Sequence, residues 1–308
     1  MIASVTLNPA IDYTVALSEP LTSGEVARAS DHRYDAGGKG INVSKYLVEL
    51  DVGTVATGIA GGFLGRYLLD ELSSQGIRAD FVEIDGQTRL NTTILDGSGT
   101  ENGNGEYKIN QNGPEVPGFA IDEVVDVLRA HEPETVVVAG SLPVGLGPET
   151  IDLLAEAGPW ETVVDVDGPT LRALEEPYAL CKPNAEELAA ATDRRIDGPR
   201  SALTAAQELR DTGFERVVAS LGGDGAVMVT PERELYAPAP DTEVVDTVGA
   251  GDALLSGVLA SRAAGEPDAE ALRSGIAVAS RVVSVSGTRA PSLTGVRDDR
   301  ESISVSAY

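Results

Sequence analysis

TVVVAGSLPVGLGPETIDLLAEAGPWETVVDVD, residues 135–167, holds a strand, a helix and a second strand in one unit. The valines at 136–138 have no polar neighbour to mark a solvent face, and a second apolar run follows at 162–167. The segment from about 148 to 157 between them reads as a helix. Strands apolar on both faces belong to a sheet covered on both sides, and parallel neighbours are joined by right-handed crossovers of this kind.

The same rhythm extends in both directions. Upstream it predicts strands at 2–7, 52–61 and 81–84, with helices starting near 40 and over 63–76 and 120–130. Downstream it predicts helices at 169–175, 185–191 and 201–212, and strands at 178–184, 216–222 and 225–230. Two more helices are expected, from Gly249 to about 264 and over 274–284. The fold class is therefore α/β with a mainly parallel central sheet.

Two stretches break the pattern. Residues 12–35 and 87–113 are polar, glycine-rich and strand-like, with strands expected at 89–95 and 106–110 and DGSGTENGNG (96–105) as a hairpin connection. Strands without intervening helices do not fit a covered sheet, so they are expected to form a small β lid beside it. An apolar face on such a lid needs a cover.

The 308 residues carry 49 Asp and Glu against 23 Lys and Arg, a formal net charge of −26, and only four of the cations are lysines. The acids are dispersed along the chain, which disfavours nucleic acid and anionic membranes as partners. Such a surface is self-repelling at low salt and tolerable where screening falls to about 3 Å near 1 M salt, which points to a salty cytosol. No apolar run approaches the length of a membrane span, and Met1 leads directly into a strand rather than a secretory leader, so a cytoplasmic enzyme is expected. A single cysteine and two histidines exclude a disulfide, a cysteine-clustered metal site and a histidine-rich zinc centre.

On a surface this acidic, an anionic substrate needs a local source of N–H groups or cations. DTVGAGD (246–252) offers one: the glycines precede an apolar helix, whose first N–H groups form an anion cradle. Asp252 then stands where it can take the proton of an attacking hydroxyl in phosphoryl transfer. The plainer alternative is a capped helix start, although a second acid exceeds what capping needs.

AGGKG (36–40) is not a Walker A loop, since glycine follows the lysine. It places Lys39 before helical N–H groups, suited to a phosphate or to hydroxyls, with Asn42 one turn on; alternatively its glycines only allow a close helix approach and Lys39 faces solvent. TGIAGGFLG (57–65) fails the dinucleotide spacing. In CKPNAEEL (181–188), Pro183 keeps Lys182 out of the helical region and Asn184 with Glu187 forms a capping box. Glu187 could serve a magnesium ion only through water, because one carboxylate and one amide are too few ligands. SLGGDGAV (220–227) is either a tight turn or a ligand loop at a strand end.

Together TLNPAID (6–12), AGGKGINVSK (36–45), TRLN (88–91), GSLPVG (140–145), CKPNAEEL, SLGGDGA (220–226) and DTVGAGDALLSG (246–257) resemble, in order and over nearly the whole chain, the phosphosugar branch of the ribokinase-like (PfkB) carbohydrate kinases. The resemblance implies one kinase domain over 1–308, a three-layer α/β/α sandwich with a β lid. It implies ATP-dependent phosphorylation of fructose 1-phosphate at the 6-hydroxyl; fructose 6-phosphate and tagatose 6-phosphate are alternative acceptors, and a non-catalytic sensor is a remote one.

By the same resemblance Asp12, Gly38, Lys39 and Asn42 bind the sugar, and Arg89 and Ser141 its phosphate. Lys108 matches a basic lid position that reaches a phosphosugar in the neighbouring subunit of related dimers. Lys182, Asn184 and Glu187 match a nucleotide and magnesium-water network, and Ser220, Gly222 and Gly225 the ATP side. Gly249, Ala250 and Gly251 match the anion hole, and Asp252 the catalytic base. A monovalent-cation loop through Asp246 implies potassium activation. The lid implies a homodimer, with Leu90, Ile94 and Leu95 as its apolar cover.

Overall fold

The computed structural model describes residues 1–100, 103–285 and 290–308. The chain begins β1 (Ile2–Thr6), β2 (Ala10–Leu17), β3 (Ala29–Gly37), α1 (Lys39–Glu49), β4 (Thr54–Gly61), α2 (Gly62–Ser74), β5 (Ala79–Ile84), β6 (Arg89–Thr100) and β7 (Gly103–Asn110). It continues α3 (Phe119–His131), β8 (Thr135–Ala139), α4 (Pro148–Glu156), β9 (Glu161–Asp165), α5 (Gly168–Ala173), β10 (Leu180–Cys181), α6 (Ala185–Thr192), α7 (Pro199–Arg210) and β11 (Val217–Ser220). It closes with β12 (Ala226–Val229), β13 (Glu234–Ala237), α8 (Ala250–Ala263), α9 (Asp268–Val283), α10 (Val296–Asp299) and β14 (Ser306–Ala307).

The large sheet runs β14-β13-β12-β11-β10-β9-β8-β1-β4-β5. Its strands pair in parallel from β11 through β5, and β12, β13 and β14 add an antiparallel edge. Strand alternation supplies both covering layers. Val136 and Val138 join one core with Val124, Leu128, Ile151 and Leu154, while Val137 and Ala139 join another with Leu47, Leu254, Leu255 and Val258. The result is an α/β/α sandwich.

The strand order reverses at β1, whose neighbours are β8 and β4. Ligands of open α/β sheets bind beyond the strand C-termini at such a switch point. There the second sheet, β3-β2-β6-β7, stands as the lid.

Several boundaries differ from expectation. Most of the anticipated hairpin connection is strand, since β6 runs to Thr100 and β7 starts at Gly103; residues 101 and 102 lie outside those described. The strand expected over 178–184 is only Leu180–Cys181, because Pro183 has no N–H for a ladder. The last long helix starts at Asp268, not 274: Asp268 and Glu270 suit its positive end, and Ala271 and Leu272 already face the core.

Gly257 sets how closely α8 and α9 approach, because a Cβ there would stand 2.6 Å from the Ser274 carbonyl oxygen. Gly257→Ala is expected to cost about 1–3 kcal/mol of folding stability, the usual effect of overpacking. Urea denaturation reads this as a lower midpoint; an unchanged midpoint contradicts the close contact.

Candidate active site

Gly249 adopts φ +79°, which lets the chain turn sharply into α8, and a Cβ there would stand 2.6 Å from the Tyr46 hydroxyl. The Ala250 N–H turns back to the Thr247 carbonyl at 3.3 Å. Among the described residues, the N–H groups of Gly251 and Asp252 keep no acceptor. Of the cradle expected over 249–251, only the Ala250 N–H is engaged in this way; the Gly249 N–H, like those of Gly251 and Asp252, has no acceptor among the described residues.

Asp252 lies in the first turn of α8 and is only 6% exposed. The Asn42 amide donates to its Oδ2 at 2.8 Å. Burial, then the like charge of Asp165, pushes the Asp252 carboxyl up to about 6, with the Asn42 bond, Lys182 and Lys39 opposing. Such a carboxylate is ionised at neutral pH and basic enough to accept a proton.

Beneath the cradle lies an ion cluster that the sequence showed only in part. Lys39 is partly exposed, but its ammonium is not left to solvent: Nζ is 2.7 Å from Asp165 Oδ1 and 3.2 Å from Glu187 Oε1. Burial opposes its charge, but those two carboxylates hold its ammonium above the ordinary lysine value. Buried Lys182 places Nζ 3.1 Å from Asp165 Oδ2, and that nitrogen is 3.2 Å from where a Gly251 Cβ would stand. The capping box is present, with Asn184 Oδ1 accepting the Glu187 N–H and Glu187 Oε2 accepting the Asn184 N–H, each at 2.8 Å.

Ser220 ends β11 beside Asn184, and its N–H donates to the Pro183 carbonyl. Gly222 and Gly225 form the turn into β12, Gly225 donating to the Gly222 carbonyl. The loops after β10 and β11 therefore flank the cradle's ion cluster on one side. Asp246 caps the Val248 N–H at 2.9 Å just before the cradle.

The other side of the switch point carries the lid base. Gly38 turns β3 into α1. The Asn8 amide donates to Ser141 Oγ at 3.1 Å, bridging the ends of β1 and β8. Arg89 donates to the Asn8 carbonyl through Nε and Nη2 and to the Gln111 carbonyl through Nη1. Among the described residues it has no ion pair, and burial lowers its affinity for the proton against the attraction of Asp12. A half-buried guanidinium held by carbonyls alone can receive an anion.

Asp12 Oδ1 accepts from the Asn91 amide at 2.9 Å, and burial raises its carboxyl above the ordinary range. Among the described residues, the buried Oδ1 atoms of Asn8, Asn42 and Asn91 have no donor, which suits a ligand rich in hydroxyls.

Strand pairing lays Asp35, Asp12, Asn91 and Asn110 in one row across the lid, and Arg33, Thr14, Thr93 and Lys108 in the next row on the same face. Lys108 is exposed there and pairs with Glu106 at 3.2 Å. The opposite face is mostly apolar, with Tyr13, Tyr34, Val15, Ile94, Tyr107 and Ile109 beside His32 and Thr92. Leu95 falls on the Asp12 face by alternation, so only Leu90 and Ile94 of the three expected apolar positions share the apolar side.

Asp165, Asn8, Asn91 and Gln111 were not singled out from the sequence. Asp165 had a usable signal: an acid ending a buried valine strand, where α/β sheets place their sites.

Among the described residues, no three His, Cys, Asp or Glu side chains could hold a metal ion. The oxygens of Glu187 are already on Lys39 and the Asn184 N–H, so this lone carboxylate suits a magnesium ion that nucleotide phosphates carry rather than one the protein itself holds. No helix among those residues is long and apolar enough to cross a membrane.

Known proteins resemble the chain over nearly its whole length. The chain is 50% identical over 305 residues to 1-phosphofructokinase of Haloferax volcanii, spanning 99% of this chain and 98% of that one. It is 35% identical to 1-phosphofructokinase of Bacillus subtilis over 90% of both chains. The crystal structure of phosphofructokinase-2 from Escherichia coli in complex with potassium superposes with a TM-score of 0.89 at 27% identity, over 98% of each chain. The profile of the pfkB family carbohydrate kinases matches residues 5–294, and the chain belongs to that family.

Proposed function

We propose that the protein transfers the γ-phosphoryl group of ATP to the 6-hydroxyl of fructose 1-phosphate, giving fructose 1,6-bisphosphate and ADP. The observation that carries this reading is the buried Asp252 carboxylate, held by Asn42 at the mouth of a helix N-terminus where the Gly251 and Asp252 N–H groups have no acceptor among the described residues. The choice of acceptor is supported by the names of the Haloferax and Bacillus relatives.

Asp252 takes the hydroxyl proton as that oxygen attacks phosphorus in line with the departing ADP oxygen. The N–H groups of Gly251 and Asp252, with Lys182 beneath them, offset charge on the equatorial phosphoryl oxygens. Asp12 and Asn42 orient the sugar; Arg89, with Asn8 and Ser141, seats its 1-phosphate, and the cleft wall at Asn184, Ser220, Gly222 and Gly225 receives the nucleotide. Bound magnesium would supply further neutralisation of the phosphates, with Glu187 contacting it through water. Potassium beside Asp246 is part of the same reading, supported by the E. coli relative solved with that ion.

The chain acts as one kinase unit over 1–308. Its lid comes from two separate stretches, and a second copy covers the lid's apolar face. Exposure of Tyr107 (47%) and Ile109 (57%) supports this homodimer.

A coupled assay in molar KCl across fructose 1-phosphate, fructose 6-phosphate and tagatose 6-phosphate tests the acceptor. The highest kcat/KM is expected with fructose 1-phosphate. A higher value with either 6-phosphate overturns that choice.

A further inference from the structure

Asp165 closes β9 fully buried, directly after Val163 and Val164. Its two oxygens go to different lysines, Oδ1 to Lys39 at 2.7 Å and Oδ2 to Lys182 at 3.1 Å. Since Lys39 also meets Glu187, one buried carboxylate links α1, β9, the exit of β10 and the start of α6. Stability alone does not account for it, because a buried ion cluster often contributes no more than apolar residues of the same volume.

Position accounts for it better. A lysine stem is flexible and its ammonium has no preferred direction, so a fixed ammonium needs a fixed partner. Asp165 supplies one for both lysines, and Lys182 Nζ thereby lies against Gly251 in the cradle.

We propose that Asp165 is a positioning residue: it holds the Lys39 and Lys182 ammonium groups beside the cradle and sets the charge balance in which Asp252 accepts its proton. The inference rests on the kinase reading of the site. Lys39, Lys45 and Tyr46 on α1, Asp165 on β9 and Lys182 after β10 are the titratable groups facing Asp252. On the other side, α9 packs against α8 at the uncharged Ser274 and Gly275. Asp165 raises the Asp252 carboxyl more than either lysine lowers it. The balance therefore predicts opposite responses to two neutralising substitutions.

Asp165→Asn removes the negative neighbour, and the acid limb of kcat/KM against pH moves to lower pH. Loss of the fixed ammonium positions lowers kcat by about 10²-fold, as a misplaced active-site group does. Lys39→Met removes a positive neighbour, and the same limb moves to higher pH. Carbon-13 NMR titration of the Asp252 carboxyl, assigned by its loss in Asp252→Asn, reads both displacements without turnover. This separates the inference from the kinase reading: absence of phosphosugar turnover in the wild type defeats only the latter.

An Asp252 midpoint in Asp165→Asn equal to that of the wild type, or displaced in the same direction as in Lys39→Met, overturns the proposal. Should Asp165→Asn not fold, Lys39→Met decides alone: an upward displacement supports the charge balance and an unmoved midpoint rejects it.

Discussion

Asp252→Asn is expected to lower kcat by about 10²–10⁴-fold, the range over which a positioned general base acts, while KM for ATP and for the sugar changes little. Asparagine keeps the shape and can still meet Asn42, but it cannot take the hydroxyl proton. The wild type should also show an acid limb in kcat/KM. With the Asp252 carboxyl at about 6, activity is full above that pH and is lost as pH falls through it and the carboxylate is protonated. The residual activity of Asp252→Asn should lack that limb. Turnover near the wild-type rate in Asp252→Asn would remove the base from the account.

The second large effect belongs to Arg89. Its guanidinium reaches only the carbonyls of Asn8 and Gln111 and holds no carboxylate among the described residues, so its charge is free for the substrate's phosphate. Arg89→Ala should raise KM for the phosphosugar by about 10–100-fold, the worth of charge-assisted hydrogen bonds of roughly 1.5–3 kcal/mol. Its kcat at saturating sugar should fall much less. Steady-state kinetics with varied fructose 1-phosphate checks this, and an unchanged KM would move the phosphate seat elsewhere.

The two effects differ because the residues act at different moments. In the proposed reaction Asp252 acts on a proton that moves only in the transition state, and Arg89 on a phosphate already present in the ground state. Lys108 stands farther out on the lid and is paired with Glu106, so within one chain it is the less direct candidate for that phosphate.

Much of this was legible in the residues because it depends on local chemistry. The capping box at Asn184 and Glu187 spans three positions, and the turn into α8 needs only the glycine at 249; both are as expected. The alternating rhythm of strand and helix was legible for the same reason, since a strand buried on both faces has no room for polar residues. The failures come from contacts between distant segments. Asp165 meets its lysines across 126 residues to Lys39, and neither partner marks the other in the sequence. Lys39 had an equally plain reading as a solvent-facing side chain, and only the fold decided between them. β13 and the edge strand β14 are short and add onto β12 one after the other, so their existence depends on β12 already being in place. Leu95 was grouped with Leu90 and Ile94 by the resemblance of the lid, whereas alternation puts it on the other face.

The central claim is that the α8 cradle and Asp252 direct a phosphoryl group onto a sugar hydroxyl. Phosphorus-31 NMR of the protein with ATP, magnesium and fructose 1-phosphate in molar KCl tests it most directly. The account predicts that a second sugar phosphate ester appears in step with ADP, at position 6. Orthophosphate appearing in step with ADP, with the sugar unchanged, would contradict it.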